Sequence, residues 1–184
     1  MNHHAHSELL HSLNQQPPTR LLITTQDHPV LFWQAVEHVL RSSWCHHLLV
    51  LTPTASRAEL LHAWSHNPFL HEGYVLSKRT PPQFSPRLPG GRRTRISLAT
   101  VREIQLHQRR QESSMVSQID CVFLYQFPQP LSPLWQQVCT AMAGIPLVGF
   151  CDHPHPTTLA WFQEHGAGTE QTDDNNALHL VEKR

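Results

Sequence analysis

RLLITTQDHPVLFWQAVEHVLRSSWCHHLLVLT, residues 20–52, changes rhythm twice, and those changes set the fold class. Arg20-Leu21-Leu22-Ile23-Thr24-Thr25 is a short apolar, branched run of the kind found in a buried strand. From Pro29 the pattern turns helical: Phe32, Val36, Val39 and Leu40 share a face, and Pro29 suits a first helical position. His47-Leu48-Leu49-Val50-Leu51-Thr52 then returns to a continuous apolar strand, ended by Pro53. Residues 56–64 are helical again, with Leu60, Leu61 and Trp64 on one side. Strand, helix, strand, helix with unalternating strands predicts a parallel sheet covered on both faces.

Working outward, residues 1–19 are polar, rich in His and Gln, and end in Pro17-Pro18. They read as a flexible or short helical segment, with residues 20–184 forming the α/β domain. Gly73-Tyr74-Val75-Leu76 precedes residues 78–93, whose four prolines and Gly90-Gly91 pair predict a long basic loop, near residues 78–95. Further strands are expected at residues 95–100, 119–125 and 145–151, and a short last one at 178–181. Further helices are expected at residues 101–110, 131–142 and 157–165. A length of 184 residues suits one domain with a real core.

Formal net charge is zero, yet nine of the fourteen basic residues lie between Lys78 and Arg110, against one acid, Glu103. Any long-range steering therefore comes from a local patch. The opening Met1-Asn2-His3-His4-Ala5-His6 carries no basic n-region and no apolar run follows it, so no secretory signal is read. No window approaches a membrane span, and the cytoplasm is the expected compartment. Cys45, Cys121, Cys139 and Cys151 lack CxxC spacing and sit in or beside apolar segments, which predicts buried reduced thiols.

A nucleotide-hydrolysing α/β domain needs a glycine-rich loop with lysine after its first strand. Thr24-Thr25-Gln26-Asp27-His28-Pro29 has neither residue, Pro29 lacks an amide, and Asp27 repels phosphate. Conventional ATP binding is therefore not expected, and no cofactor is.

The order of segments nevertheless resembles the first motor domain of superfamily-two helicases, closest to the motor subunits of type I restriction enzymes. Leu49-Val50-Leu51-Thr52-Pro53-Thr54 resembles the family's LVPT segment, and Ile96-Ser97-Leu98-Ala99-Thr100-Val101 its VATIQ segment; in the family both lie towards the nucleic-acid strand. Ile119-Asp120-Cys121-Val122-Phe123-Leu124 resembles the strand leading into the DEAD or DEAH motif. Val148-Gly149-Phe150-Cys151-Asp152-His153-Pro154 resembles IGLTATP, with Gly149 and Pro154 retained. The departures fall on catalytic positions: Tyr125-Gln126-Phe127-Pro128 stands where the family has two carboxylates, and Cys151-Asp152-His153 replaces Thr-Ala-Thr. The resemblance covers roughly residues 20–165. It implies an α/β fold, one three-layer domain with a mostly parallel sheet, RecA-like and P-loop-like without a functional P-loop. It also implies a nucleic-acid-processing or defence assembly in which this chain lacks ATPase and helicase activity.

Lys78, Arg79, Arg87, Arg92, Arg93, Arg95, Arg102, Arg109 and Arg110 are the candidate contacts to phosphate or to an acidic protein surface. Tyr74 and Phe84 are candidate base-stacking aromatics. Trp33, to one side of its helix's apolar face, is a candidate docking aromatic, with core packing as its other reading. His62 and His66 lie one turn apart, but HAWSH lacks the glutamate of HExxH, so no metal site is assigned. Cys151, Asp152 and His153 lie where doubly wound folds place active sites, although neighbours on an extended strand point to alternate faces. The leading expectation is a non-catalytic module that binds a protein partner, and DNA or RNA as a further ligand. The alternative is a small hydrolase or transferase using the Cys151-Asp152-His153 region.

Overall fold

The computed structural model describes residues 13, 20–24, 28–77, 81–87, 94–109, 118–165, 169–170 and 180–181. Its elements in chain order are β1 (Arg20–Thr24), α1 (His28–Arg41), β2 (His47–Leu51), α2 (Thr54–His66), α3 (Pro68–Gly73), β3 (Tyr74–Ser77) and β4 (Gln83–Pro86). They continue with β5 (Arg95–Ala99), α4 (Val101–Arg109), β6 (Cys121–Tyr125), α5 (Pro133–Ala141), β7 (Leu147–Cys151), α6 (Pro156–His165), β8 (Thr169–Glu170) and β9 (Leu180–Val181). Seven strands form one sheet in the order β1-β7-β6-β2-β5-β4-β3, and β8 and β9 form a separate two-stranded ribbon.

Alternation sorts each central strand's side chains onto two faces. Leu21 and Ile23, Leu48 and Val50, Ile96 and Leu98, Phe123, Val148 and Phe150 pack on the first face under α1, α2 and α3. Leu22, Leu49, Leu51, Val122, Leu124 and Leu147 pack on the second under α4, α5 and α6. Both faces are buried, which is why these strands read as apolar runs without polar alternation. The predicted Phe32, Val36, Val39 and Leu40 are all buried against the first face. All four cysteines are buried free thiols.

Right-handed crossovers account for the layers. From β1 to β2 and from β2 to β5 the chain moves one way along the sheet, placing α1, α2 and α3 on one side; from β5 to β6 to β7 it moves back, placing α4 and α5 on the other.

The long basic loop is corrected by β4. Gln83–Pro86 pairs antiparallel with both β3 and β5, so the parallel sheet gains an antiparallel margin. Phe84 anchors it, 4% exposed and 4.7 Å from the Trp64 ring centroid. Prolines hid this strand from a periodicity reading. Arg87 N–H donates to Gly73 O, which sets the Tyr74–Pro86 pair out of the hydrogen-bonded positions, so Pro86 needs no amide hydrogen. Of residues 1–19 only Leu13 is described: it is fully buried, and its carbonyl accepts from Trp44 Nε1 at 3.1 Å. The short helix expected around it lies outside the described residues.

Gly149 in β7 sits where the second-face layers approach most closely. A Cβ there would meet Phe162 Cζ at 2.9 Å, Leu22 Cδ1 at 3.0 Å and Phe127 Cε1 at 3.3 Å. Gly149→Ala is therefore expected to destabilise by about 1–3 kcal/mol through overpacking. A lowered urea midpoint with unchanged m-value is the check; no shift would mean that Phe162 yields freely.

Candidate functional site

At the carboxyl edge of the parallel strands, neighbouring strands feed helices on opposite faces between β1 and β7 and on either side of β2. In open α/β sheets such switch points are the usual ligand positions. β6 ends there in Tyr125, whose ring is buried 4.4 Å from Phe32. The next residue, Gln126, is exposed in the left-handed region at φ +51°, a conformation that costs a non-glycine residue energy. The strand thus ends in an inward tyrosine followed by an outward amide. The expected phosphate-loop stretch, Thr25-Gln26-Asp27, lies outside the described residues.

Where β7 ends beside β1, Cys151 is buried, and burial with the charge of Asp152 pushes its thiol up to about 12. Its sulfur is protonated at neutral pH and is not an activated nucleophile. Asp152 and His153 are exposed, and Asp152 Oδ1 accepts the His153 backbone N–H at 2.8 Å. A shallow groove of about 580 Å³ lies elsewhere, lined by Gln136, Thr140, Trp161, Glu164 and His165 from α5 and α6. None of the three carboxyl-edge residues lines it.

The basic segment is organised around its one acid. Thr100-Val101-Arg102-Glu103 forms a capping box at the start of α4: Glu103 Oε2 accepts from the Thr100 N–H at 2.8 Å and from its hydroxyl at 3.0 Å, and Thr100 Oγ1 accepts the Glu103 N–H at 3.3 Å. Glu103 Oε1 also pairs with Arg57 of α2. Burial opposes the charged carboxylate, but the Thr100 and Arg57 contacts outweigh it and hold Glu103 below the ordinary carboxylate range. Drawing Glu103 inward leaves Arg102, Leu106 and Arg109 on the outer face of α4, all exposed, while Val101 and Ile104 face the core. Spacings of four and three residues put them in one stripe, with the arginines roughly 10 Å apart along the axis. Among the described residues neither arginine has a carboxylate partner.

Arg87 and Arg95 lie at the opposite, amino edge, brought together by the β4–β5 register. Arg87 Nε donates to Tyr74 O at 3.0 Å, and Arg95 is exposed. The described members of the candidate patch therefore fall at both edges of the sheet, Arg102 by the carboxyl edge and Arg87 and Arg95 by the amino edge. Lys78, Arg79, Arg92, Arg93 and Arg110 lie outside the described residues. Tyr74 and Phe84 are corrected as base-stacking candidates: they are 2% and 4% exposed because the β3–β4 hairpin folds their rings into the first-face core. Trp33 is half-buried, packed against that core with its ring 5.5 Å from Trp64.

Sequence reading missed a polar group at the amino edge. His47 in β2 is buried, and its Nε2 lies 2.7 Å from the buried Ser97 Oγ of β5. Asp120 Oδ2 accepts the backbone N–H groups of His46 and His47 at 2.7 and 2.9 Å. Its carboxylate thereby fastens β6 to β2. Burial lowers the His47 pKa, Arg95 lowers it further, and Asp120 opposes both. The folded chain therefore refuses a proton that the unfolded chain takes up at about pH 6.5. Stability from His47 is full above that pH and falls below it, by at most about 1.4 kcal/mol per pH unit. Glu103 acts in a separate window, below the unperturbed value of about 4.3, where its depressed pKa makes stability fall as its carboxylate protonates. Unfolding free energy measured from pH 7.5 to 5.5 is expected to decline less steeply in His47→Gln than in wild type; equal slopes would remove His47 from the account.

No protein-family model matches this chain, and none of the curated proteins matches it. The described residues define a three-layer α/β domain with a seven-stranded mixed sheet, mostly parallel. Among them no helix is long and apolar enough to cross a membrane.

Proposed function

We propose that this chain is a non-catalytic α/β module that docks an acidic protein surface through the Arg102–Leu106–Arg109 stripe of α4. The observation that carries the reading is the inward turn of Glu103, which removes the segment's negative charge from the outer face. Leu106 remains 50% exposed between two arginines. A leucine flanked by guanidinium groups suits an apolar residue ringed by carboxylates; a sugar-phosphate backbone has no complementary group for it.

Nucleic-acid phosphate is the second ligand class, favoured by Arg87 and Arg95 at the far end of the patch and by the helicase resemblance. In support of that resemblance, its two strand-facing segments lie side by side: Leu51 is in register with Ala99, and the Thr52 N–H donates to Ala99 O at 3.1 Å. On this reading the carboxyl edge is a degenerate motor-type edge used as a framework, and the partner belongs to a nucleic-acid-processing or defence assembly.

The test is fluorescence polarisation of the full chain with three probes: an amphipathic glutamate–leucine peptide, single-stranded DNA and single-stranded RNA, each at several salt concentrations. Peptide binding is expected, at least tenfold weaker in Leu106→Asp and in Arg102→Glu/Arg109→Glu. Binding to DNA or RNA alone, with a steep salt slope and no response to Leu106→Asp, would replace the protein-docking reading by phosphate recognition. Magnesium-dependent ATP hydrolysis by the purified chain would overturn the non-catalytic reading.

A further inference from the structure

The exposed end of α2 carries a feature that the docking stripe does not use. His62 and His66 are one turn apart, both exposed, with ring centroids 4.3 Å apart and planes inclined by 32°. His66 Nδ1 lies 2.8 Å from the His62 carbonyl oxygen and 3.0 Å from Ser65 Oγ, and Ser65 Oγ itself donates to that same carbonyl at 2.8 Å. A carbonyl oxygen only accepts, so the hydrogen of neutral His66 sits on Nδ1 and the lone pair on Nε2. Metal-binding histidines are held in this way, with the non-ligating N–H donated to a backbone carbonyl. Among the described residues no polar atom holds the ring of His62, which is free to turn beside it.

We propose that His62 and His66 form a two-imidazole clamp for a first-row divalent cation of the zinc–copper class. At metal–nitrogen distances of about 2.0–2.1 Å, the two ligating nitrogens stand about 3 Å apart around one ion. The ring centroids are already 4.3 Å apart, close to that spacing. Imidazole suits Zn²⁺, Ni²⁺ and Cu²⁺, with Cu²⁺ the tightest of them. Both residues lie in the last two turns of α2, where partial negative charge on the terminal carbonyls favours a cation. No group of three or more histidine, cysteine or acidic side chains forms a metal cluster among the described residues, so the chain supplies two ligands and water completes the shell. The clamp is a surface binding site rather than a structural or catalytic centre.

Sixteen histidines make total metal uptake uninformative, so the experiment reads differences between variants. The chelator-stripped full chain is titrated calorimetrically with Cu²⁺ and separately with Zn²⁺, beside His62→Ala, His66→Ala and His71→Ala. His71 is an exposed histidine on α3, outside the pair. The result expected is that His62→Ala and His66→Ala each weaken the same binding equivalent by tenfold or more, while His71→Ala keeps it. Wild-type binding in either His62→Ala or His66→Ala, or an equal loss in His71→Ala, would overturn the clamp. This outcome is independent of the α4 stripe, because none of these substitutions touches it.

Discussion

Trp64→Ala is expected to remove about 3–5 kcal/mol of stability, the range for deleting a large buried aromatic. Domains of this size are held by about 5–15 kcal/mol in total, so the loss is a large share of the whole. Trp64 is fully buried on α2, edge-on to Trp33 at 5.5 Å and inclined to Phe84 at 4.7 Å. It joins the first-face helices to the antiparallel margin of the sheet. Trp64→Phe is expected to cost much less, because Trp64 Nε1 is buried without a hydrogen-bond partner among the described residues, and the smaller ring removes that burden. The two variants separate packing from polarity: urea unfolding that finds them equally destabilised would contradict the account. A cycle with Phe84→Ala should show coupling of about 0.5–1.5 kcal/mol, the contribution of one aromatic pair. Amide exchange in β4 should quicken in Trp64→Ala, since that strand has one aromatic anchor.

Arg20→Ala should cost about 2–4 kcal/mol, the loss of charge-assisted hydrogen bonds partly offset by relief of a buried charge. Arg20 is 2% exposed at the first position of β1, where its Nη1 donates to Ile145 O and its Nη2 to Cys139 O, each at 3.0 Å. Its guanidinium also lies 5.8 Å from the Trp161 ring centroid. One side chain thus satisfies carbonyls at the end of α5 and before β7 and packs against α6, tying β1 to the elements around its neighbour β7. Burial pulls its pKa below the ordinary arginine value, and the group stays charged at any pH where the protein folds. Lysine has a point charge and no planar fork, so Arg20→Lys should recover little of the loss. Arg20→Met fills the volume and leaves both carbonyls bare. Wild-type stability in Arg20→Met would show that packing, not the fork, is what counts.

The layered sheet was legible because its central strands are buried on both faces: RLLIT, HLLVL, CVFLY and LVGFC are continuous apolar runs, and periodicity detects such runs from local information. Strand β4 was not legible. Its four residues include one apolar side chain, Phe84, whose burial depends on Trp64, twenty residues away in the chain. Charge concentration between Lys78 and Arg110 was also plain in the sequence. The Thr-x-x-Glu pattern there fixes a local backbone partner for Glu103, but its pairing with Arg57 joins residues 46 positions apart, which no local pattern records.

What the chain's order of residues determined alone is the set of elements and which side of each is apolar, because strand and helix repeats are properties of neighbours a few positions apart. Tertiary structure decided which charges remain outward, which aromatics are spent on the core, and that His47 meets Ser97 across fifty residues. Those outcomes depend on contacts between elements distant in sequence, where burial sets the cost of every unpaired polar group and no local pattern records it.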